Sequence, residues 1–486
     1  MRLLAGLKPE SVWRYFEEIC KIPRLSKDEG KIRRYILDFA HLHNLDSSED
    51  KVGNIVIIRP ASEGMENVKV VVLQSHLDMV GEKNSDHPHN WSIDPIMPVI
   101  IDSWVTAQGT TLGADDGIGI AVQLAILSDP FLRTGKLECL FTIDEESGMT
   151  GANNLGPDFF KGRILINLDS EDEGIIFIGC AGGIDTVGTL KYKTEKEPYN
   201  SSAWEISLTG LHGGHSGDEI HKGYGNSVKI MTRILSDLSK LYNIRITRFN
   251  GGNLRNAIPR ESFATITAPA SYSKRIIRYL SEIFEILSNE FGTLEPELKI
   301  DFKSIELPET VIDIESQTKL LSVLDAIPHG AIEWSKEMKD LVQTSTNLAS
   351  VKFENNNEIT IVSTQRSSIE SSKKEIALKV EGYLKSYGAT TTHSDGYPGW
   401  NPNLSSEILQ ITKNSYLKLF QKEPLVKAIH AGLECGLIYE KYEGIDMISI
   451  GPTIRGAHTP EEKIDIETTQ MFWDLLIDIL KSIPAK

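Results

Sequence analysis

A chain of 486 residues with 40% apolar side chains can form roughly two to four domains with sizeable cores. Its formal net charge of -17, from 68 acidic and 51 basic side chains, leaves no basic field to displace counterions, which argues against a nucleic-acid or anionic-membrane partner. No apolar run approaches the roughly 20 residues that a membrane span needs.

The N-terminal stretch MRLLAGLKPESVWRYFEEICKIPR is charged throughout and lacks the apolar centre of a signal peptide. Within it, Pro9–Ile22 carries Val12, Phe16 and Ile19 at helical spacing, and Lys31–Leu42 reads as a second helix. Asn54–Arg59 is a short strand. Val68–Val80, VKVVVLQSHLDMV, reads as a buried strand that ends in His76-x-Asp78. Residues two apart on an extended chain point the same way, so His76 and Asp78 can share one site, one as a metal ligand and the other as the acid that orients its ring. The turn-rich NSDHPHNW segment puts its histidines in a solvated loop, and Ile93–Gly109 is strand-like, with bends at Pro95 and Pro98. A glycine-rich turn then enters an apolar helix over Ile118–Leu127. Asp115 and Asp116 stand at its start, where unpaired amides and the helix dipole favour carboxylates. Strand Leu137–Ile143 runs into Asp144-Glu145-Glu146, and strand Arg163–Leu168 ends at Asp169. This alternation of strands and helices predicts an α/β sheet, mixed but mostly parallel, with ligands collecting at the carboxyl ends of its strands.

The pattern changes near Gly182. From about Ala203 to Tyr387 a succession of strand, helix, strand pair and helix occurs twice, the second time opening with LKIDFKSIEL. This predicts an inserted α+β domain, 184–396, made of duplicated ferredoxin-like halves. GYPGWNPN is the route back. The remainder reads as helix Ser405–Phe420, helix His430–Tyr439, strand Asp446–Ile450, the loop GPTIRGAHTPEE and a closing helix Glu467–Leu480. The first domain is thus expected to be discontinuous, 1–183 and 397–486. The four cysteines, Cys20, Cys139, Cys180 and Cys435, form no CxxC pair and read as reduced thiols of a cytoplasmic protein.

His76, Asp115, Glu146, Asp169 and His458 make a set of imidazoles and carboxylates without thiolates, which suits Zn²⁺, Mn²⁺ or Co²⁺. If Asp115 bridges, the set can hold two ions about 3.5–4 Å apart, which polarise a carbonyl and lower the pKa of a water. Glu145, next to a ligand, is placed to act as base on that water. Taken singly, each has an ordinary structural reading: a helix cap for Asp115-Asp116, a solvated turn for Glu145-Glu146, a surface histidine for His458. Their shared position at strand ends and a helix start is what unites them.

The motifs SHLDMV, TLGADDGIGIA, TIDEESGMTGA, INLDSED, CAGG, GGHSGDEIHKGYGN, GGNLRNAIPRE, YPGWNPN, HAGLECG and GPTIRGAHTPEE together resemble the cytosolic non-specific dipeptidases, also called aminoacyl-histidine dipeptidases or peptidase D. These belong to the zinc-aminopeptidase-like superfamily that includes aminoacylase and carboxypeptidase G. The resemblance covers essentially the whole chain. It implies a two-metal catalytic domain with an inserted lid, two divalent ions per chain (zinc, with cobalt or manganese as alternatives), and hydrolysis of unblocked dipeptides, Xaa-His and carnosine-like ones and others. By the same resemblance His76 and Asp169 hold one ion, Glu146 and His458 the other, Asp115 bridges, Asp78 orients His76 and Glu145 is the general base. His215, in GGHSG, matches a lid histidine that stabilises the oxyanion, and Asn256, in NAIP, matches a polar lid residue near the substrate. Where simpler members end a lid strand in a carboxylate-binding arginine, the first half here ends in Thr267-Ala268-Pro269, and Arg366, in STQRSS, stands at the equivalent place in the second. His430 and Glu434, a helical turn apart, read as a buried structural pair or as support for the site. The family pattern implies a homodimer, although a duplicated lid can supply both halves within one chain. Two other functions fit the same ligands: an aminoacylase or deacylase acting on N-acylated amino acids, and a non-catalytic metal-binding scaffold.

Overall fold

The structure, a computed structural model, describes residues 3–486. It divides into two compact units, one formed by residues 3–180, Trp400–Ala428 and Leu433–Lys486, the other by Ala181–Gly399 and Ile429–Gly432.

The first unit is built on a sheet in the order Asp46–Glu49, Ile55–Arg59, Leu137–Thr142, Val71–His76, Ile164–Asn167, Asp446–Ser449, Ile175–Cys180, Leu425–Ile429. Leu137–Thr142, Val71–His76, Ile164–Asn167 and Asp446–Ser449 are mutually parallel, whereas Ile55–Arg59 runs antiparallel to its neighbour. The first three of these parallel strands are buried at every residue, which is why they read as apolar runs rather than alternations. Helix Ala114–Ser128 packs on Val71–His76 and against helix Glu10–Cys20. Register fixes what leaves the sheet together. His76 pairs with Thr142, and Gln74 with Asn167. His76 and Asp169, each two residues beyond that second pair, therefore emerge at one level, with Glu145 and Glu146 following Thr142 beside them. A separate antiparallel sheet joins Ile454–Arg455, Lys463–Asp465, Trp104–Ala107 and Pro98–Ile101. Among the described residues no helix is long and apolar enough to cross a membrane.

The second unit is organised on a sheet whose main path runs Lys299–Ile305, Ser201–Thr209, Ser262–Pro269, Arg245–Gly251, Val342–Phe353, Glu358–Ser367, Gly182–Lys191, Thr390–His393. Its two halves are ferredoxin-like. The first, with helices Ser227–Tyr242 and Ser273–Phe291, has the strand order fourth, first, third, second. In the second half, with helices Ile314–Ala326 and Glu370–Ser386, the first strand is Gly182–Lys191, and the strands run second, third, first, fourth. The sequence reading needs correction here. LKIDFKSIEL does not open the second repeat; it pairs with Ser201–Thr209 and closes the first. The whole first half is inserted after the opening strand of the second. The halves meet where Gly251 pairs with Val351, and helices from both bury one continuous core, Trp204, Met231, Phe249, Leu320 and Leu384 among its members.

A second correction concerns HAGLECG. The helix runs Glu434–Lys441, entered through Leu433 in extended conformation, so His430 precedes it. His430 lies in the Ile429–Gly432 stretch that belongs to the second unit, where the Ala181 amide donates to the Ile429 and Ala431 carbonyls at 3.1 and 3.0 Å. Glu434 is buried in the first unit.

Phe249 has no exposed surface. Phe249→Ala is expected to destabilise the second unit by about 3–5 kcal/mol, since it removes a large buried ring and leaves a cavity. Urea unfolding followed by circular dichroism measures this, and an unmoved transition would place the ring outside the core.

Candidate active site

At the exit of Val71–His76, the His76 ring places Nε2 2.9 Å from Asp115 Oδ1 and 3.3 Å from Asp169 Oδ1. His458, on the loop after Ile454–Arg455, places its Nε2 3.2 Å from Asp115 Oδ2 and 2.9 Å from Glu146 Oε2. The two oxygens of Asp115 thus face two different imidazoles. Ligand atoms of His76, Asp116 and Asp169 lie within 4.8 Å of one another, as do those of Asp115, Glu146 and His458, and those of His76, Glu145 and Glu146. Imidazole nitrogens and carboxylate oxygens without a thiolate are a donor set for a divalent ion of the zinc, manganese or cobalt type, and the residues fit two such ions sharing Asp115.

The electrostatics agree with that fit. Without cations, burial pushes the Asp116 and Asp169 carboxyls well above the usual range, and their acidic neighbours add to the rise. Burial, then the charges of Glu434, Glu146 and Asp115, raises Glu145 to about 8. Burial also works against a charged His76, but Asp169, Asp115 and Asp78 outweigh it and raise the ring well above its ordinary value. Hydrogen bonds to Asp115 and Glu146 carry His458 up to about 11. Asp115 is the exception: burial would raise it, yet the two imidazoles hold it well below the carboxylate range. So many buried acids exceed what two imidazoles can balance, and divalent cations held by these residues would supply the missing positive charge.

Asp78 has no exposed surface and serves as the hub of the strand exits. Its Oδ1 accepts from the Glu145 amide at 3.0 Å, and its Oδ2 from the Glu146 amide at 3.2 Å and Ser26 Oγ at 2.8 Å. Burial would raise its pKa, but its contacts with His76, the Glu145 amide and Ser26 bring it to about 2. Toward His76 Nδ1 the Asp78 backbone carbonyl, at 3.2 Å, is nearer than the carboxylate, at 3.5 Å. The carboxylate's shorter bonds hold the turn that carries Glu145 and Glu146.

Two buried side chains, Glu462 and Arg24, were not singled out from the sequence. Glu462, 2% exposed, accepts from the amides of Leu112, Gly113, Ala114 and Asp115 at 2.8, 2.9, 2.7 and 3.3 Å. These amides precede the ones that a cap at Asp115 or Asp116 serves. Asp116 does act as a cap, accepting from the Gly119 amide at 3.0 Å, while Asp115 faces the imidazoles. Arg24 donates to the carbonyls of Leu77, Asp78 and Gly113 at 3.0, 2.6 and 2.5 Å, tying the strand exit to the same loop. Gly113 has φ 69°, and a Cβ there would lie 2.7 Å from Arg24 Nη2, so both backbone conformation and space require glycine. Glu434 accepts from Gln74 and Thr142, each at 2.7 Å, beneath the strand exits.

The other predicted residues, His215, Asn256 and Arg366, belong to the second unit. The amides of Gly217 and Asp218 donate to His215 Nδ1 at 3.3 and 3.1 Å, closer than the Asp218 carboxylate at 3.4 Å, which assigns the proton to Nε2. Asn256 is exposed beside it; its carbonyl accepts the Ser216 amide at 2.8 Å. Arg366 is 5% exposed and donates from Nη1 to the Tyr397 hydroxyl at 2.6 Å.

Residues 72–482 match the model of peptidase family M20/M25/M40. The chain belongs to this family. This M20/M25/M40 peptidase is 43% identical over 486 residues to the cytosol non-specific dipeptidase of Escherichia coli strain K12, covering all of both chains. It is also similar to the crystal structure of aminoacylhistidine dipeptidase from Vibrio alginolyticus, with 41% identity, TM-score 0.93, and coverage of 99% of this chain and 98% of that one. An aminopeptidase PepT from Bacillus cereus shares the fold at 16% identity and TM-score 0.62, over 98% of this chain and 99% of that one.

Removing the Glu462 carboxylate leaves buried amides without an acceptor and frees the peptidase's Asp115 loop. Glu462→Ala is expected to weaken divalent-ion binding by about 10–100-fold, as loss of a ligand-supporting contact does elsewhere. Competition with a chelator reads this directly, and wild-type affinity in the variant would show that the loop holds itself.

Proposed function

We propose that this peptidase hydrolyses the peptide bond of unblocked dipeptides, Xaa-His and carnosine-like ones within a broader range. The observation that carries the reading is the sharing of Asp115, with one oxygen 2.9 Å from His76 and the other 3.2 Å from His458. In this reading His76 and Asp169 hold one divalent ion, Glu146 and His458 hold the other, and Asp115 holds both. Zinc suits the donors, with cobalt or manganese as alternatives. Such a pair, when bound, polarises the scissile carbonyl and lowers the pKa of a water.

The chain's own residues do the rest. Glu145 takes a proton from the attacking water as the new C–O bond forms, and delivers it to the amine as the C–N bond breaks. Its raised proton affinity favours taking the proton from the water, and burial, the largest cause of that rise, persists when cations neutralise its neighbours. Asp78 fixes the turn that carries it. His215 donates from Nε2 to the developing oxyanion, a role that requires the tautomer its Nδ1 contacts select. Arg366 takes the free carboxylate of the dipeptide, and Asn256 gives a further polar contact. The relatives named as dipeptidases support a dipeptide substrate over an N-acylated one. The reading extends to a cytoplasmic homodimer. The cysteines, free and buried, suit a reducing compartment, and the family pattern carries the dimer.

A chelator is expected to abolish hydrolysis of a free dipeptide and Zn²⁺, Mn²⁺ or Co²⁺ to restore it. Glu145→Ala is expected to lower kcat about 10²–10⁴-fold with the metal content per chain unchanged, measured by elemental analysis beside the assay. Metal loss from that variant would make Glu145 a ligand. Faster cleavage of N-acetyl amino acids than of free dipeptides would make the enzyme a deacylase, and inertness toward both with metal supplied would make it a scaffold.

A further inference from the structure

Tyr397 packs against Arg366 in the second unit, its hydroxyl accepting from Arg366 Nη1. Arg366 lies on Glu358–Ser367 in a row across the sheet of the second unit. On one side it pairs with Ser345, on the other with Gly183. Directly paired residues share a face, so what stands at 345 and 183 shapes the surroundings of the guanidinium. Ser345 is occupied, since its hydroxyl lies 2.7 Å from His430 Nε2. Gly183 leaves a gap, and the Tyr397 ring fills it: a Cβ at 183 would sit 2.6 Å from the ring carbon that bears the hydroxyl. Gly432 flanks the same ring, where a Cβ would come within 2.7 Å. The backbone of Tyr397 is fixed as well. It exchanges hydrogen bonds with Gly183 at 2.9 and 3.0 Å, and its carbonyl accepts from the buried Lys373 at 2.6 Å. The tyrosine therefore cannot move away from the arginine it bonds.

The bond it makes is selective. Arg366 Nη1 donates to the Tyr397 hydroxyl at 2.6 Å, whereas Arg366 Nε is buried with no acceptor among the described residues. A buried guanidinium donor without an acceptor is unfavourable. The Nε–Nη2 edge is the edge that accepts a carboxylate in the side-on bidentate arrangement. His430, beside it, is held neutral by burial and then by the Arg366 charge, at about 3, and so adds no second cation.

We propose that Tyr397 is a positioning residue: by holding Nη1, it turns the Nε–Nη2 edge of Arg366 toward the free carboxylate of the substrate, and Gly183 and Gly432 are glycines because they seat its ring. This rests on the reading of Arg366 as the carboxylate-binding residue.

The test compares a free dipeptide with the same dipeptide as its C-terminal amide, on the metal-loaded enzyme. Tyr397→Phe keeps the ring and removes the hydroxyl. It is expected to raise KM for the free dipeptide about tenfold, with kcat within about twofold, and to leave KM for the amide at the wild-type value. Gly183→Ala, which displaces the ring, should act in the same direction. An equal rise in KM for both substrates makes Tyr397 merely structural and overturns the proposal, as does an unchanged KM for both. Arg366→Ala separates this from the reading beneath it. If that variant keeps the wild-type preference for the free dipeptide over its amide, the carboxylate role of Arg366 fails. If it loses the preference while Tyr397→Phe keeps it, only the positioning role fails.

Discussion

The carboxylate of Asp115 faces His76 with one oxygen and His458 with the other, and much of the first unit serves to keep it there. His76 arrives on a central parallel strand and His458 on a loop near the C-terminus, so neither can be adjusted to suit a wandering Asp115. Glu462 supplies the constraint. It belongs to the His458 loop and grips the amides on both sides of Gly113 and Ala114. One side chain thereby fixes Asp115 relative to one of the imidazoles that face it. Arg24 does the equivalent for the other, gripping the carbonyls of Leu77, Asp78 and Gly113. Both are buried charges satisfied almost wholly by backbone, an arrangement whose cost is tolerable only because every nearby donor or acceptor is used.

The same concentration of charge links folding to cation binding. Asp115, Asp116, Glu145, Glu146 and Asp169 crowd a volume in which an isolated carboxylate is strongly disfavoured, and burial alone pushes Asp116, Asp169 and Glu145 upward. A sheet edge that gathers them bears repulsion that nothing on the apolar side of the strands relieves. Divalent ions relieve it, so their binding energy adds to the stability of this edge. The surrounding anchors made to backbone amides, at Asp78 and Glu462, remain in place whatever the charge at the centre and keep the donors convergent.

The residues that gather at the strand exits were legible in the sequence because strand periodicity carries direction: a histidine and an acid two apart, or an acid just beyond an apolar run, must emerge at a sheet edge. Helices with apolar residues at helical spacing were legible for the same local reason. What escaped depends on contacts that local periodicity does not record. Asp46–Glu49 forms an edge strand although each of its residues is exposed, so it has no apolar alternation to show. Glu462 and Arg24 acquire their roles from partners far along the chain. Lys299–Ile305 was recognisable as a strand, but the neighbour it pairs with was not, and the order of the halves was misread in consequence. The helix expected from His430 begins at Glu434 because Leu433 is extended, a backbone choice that the composition of HAGLECG does not reveal.

Nesting spreads the residues proposed to face the substrate over both halves of the second unit. The third strand of the first half, Ser262–Pro269, and the third strand of the second, Glu358–Ser367, occupy equivalent places, yet only the second carries an arginine, Arg366. His215 and Asn256 come from loops of the first half, after Ser201–Thr209 and after Arg245–Gly251. The arginine needs a neighbour without a side chain, and Gly183 provides it from the opening strand of the second half. That strand remains paired with Glu358–Ser367 although the entire first half intervenes in sequence, because the insertion departs from its far end, at Lys191. The gap that seats Tyr397 is thus created by strand register within one half and is untouched by the insertion of the other. A duplicated scaffold can then place a histidine in one copy and an arginine in the other without either disturbing the packing that holds its counterpart.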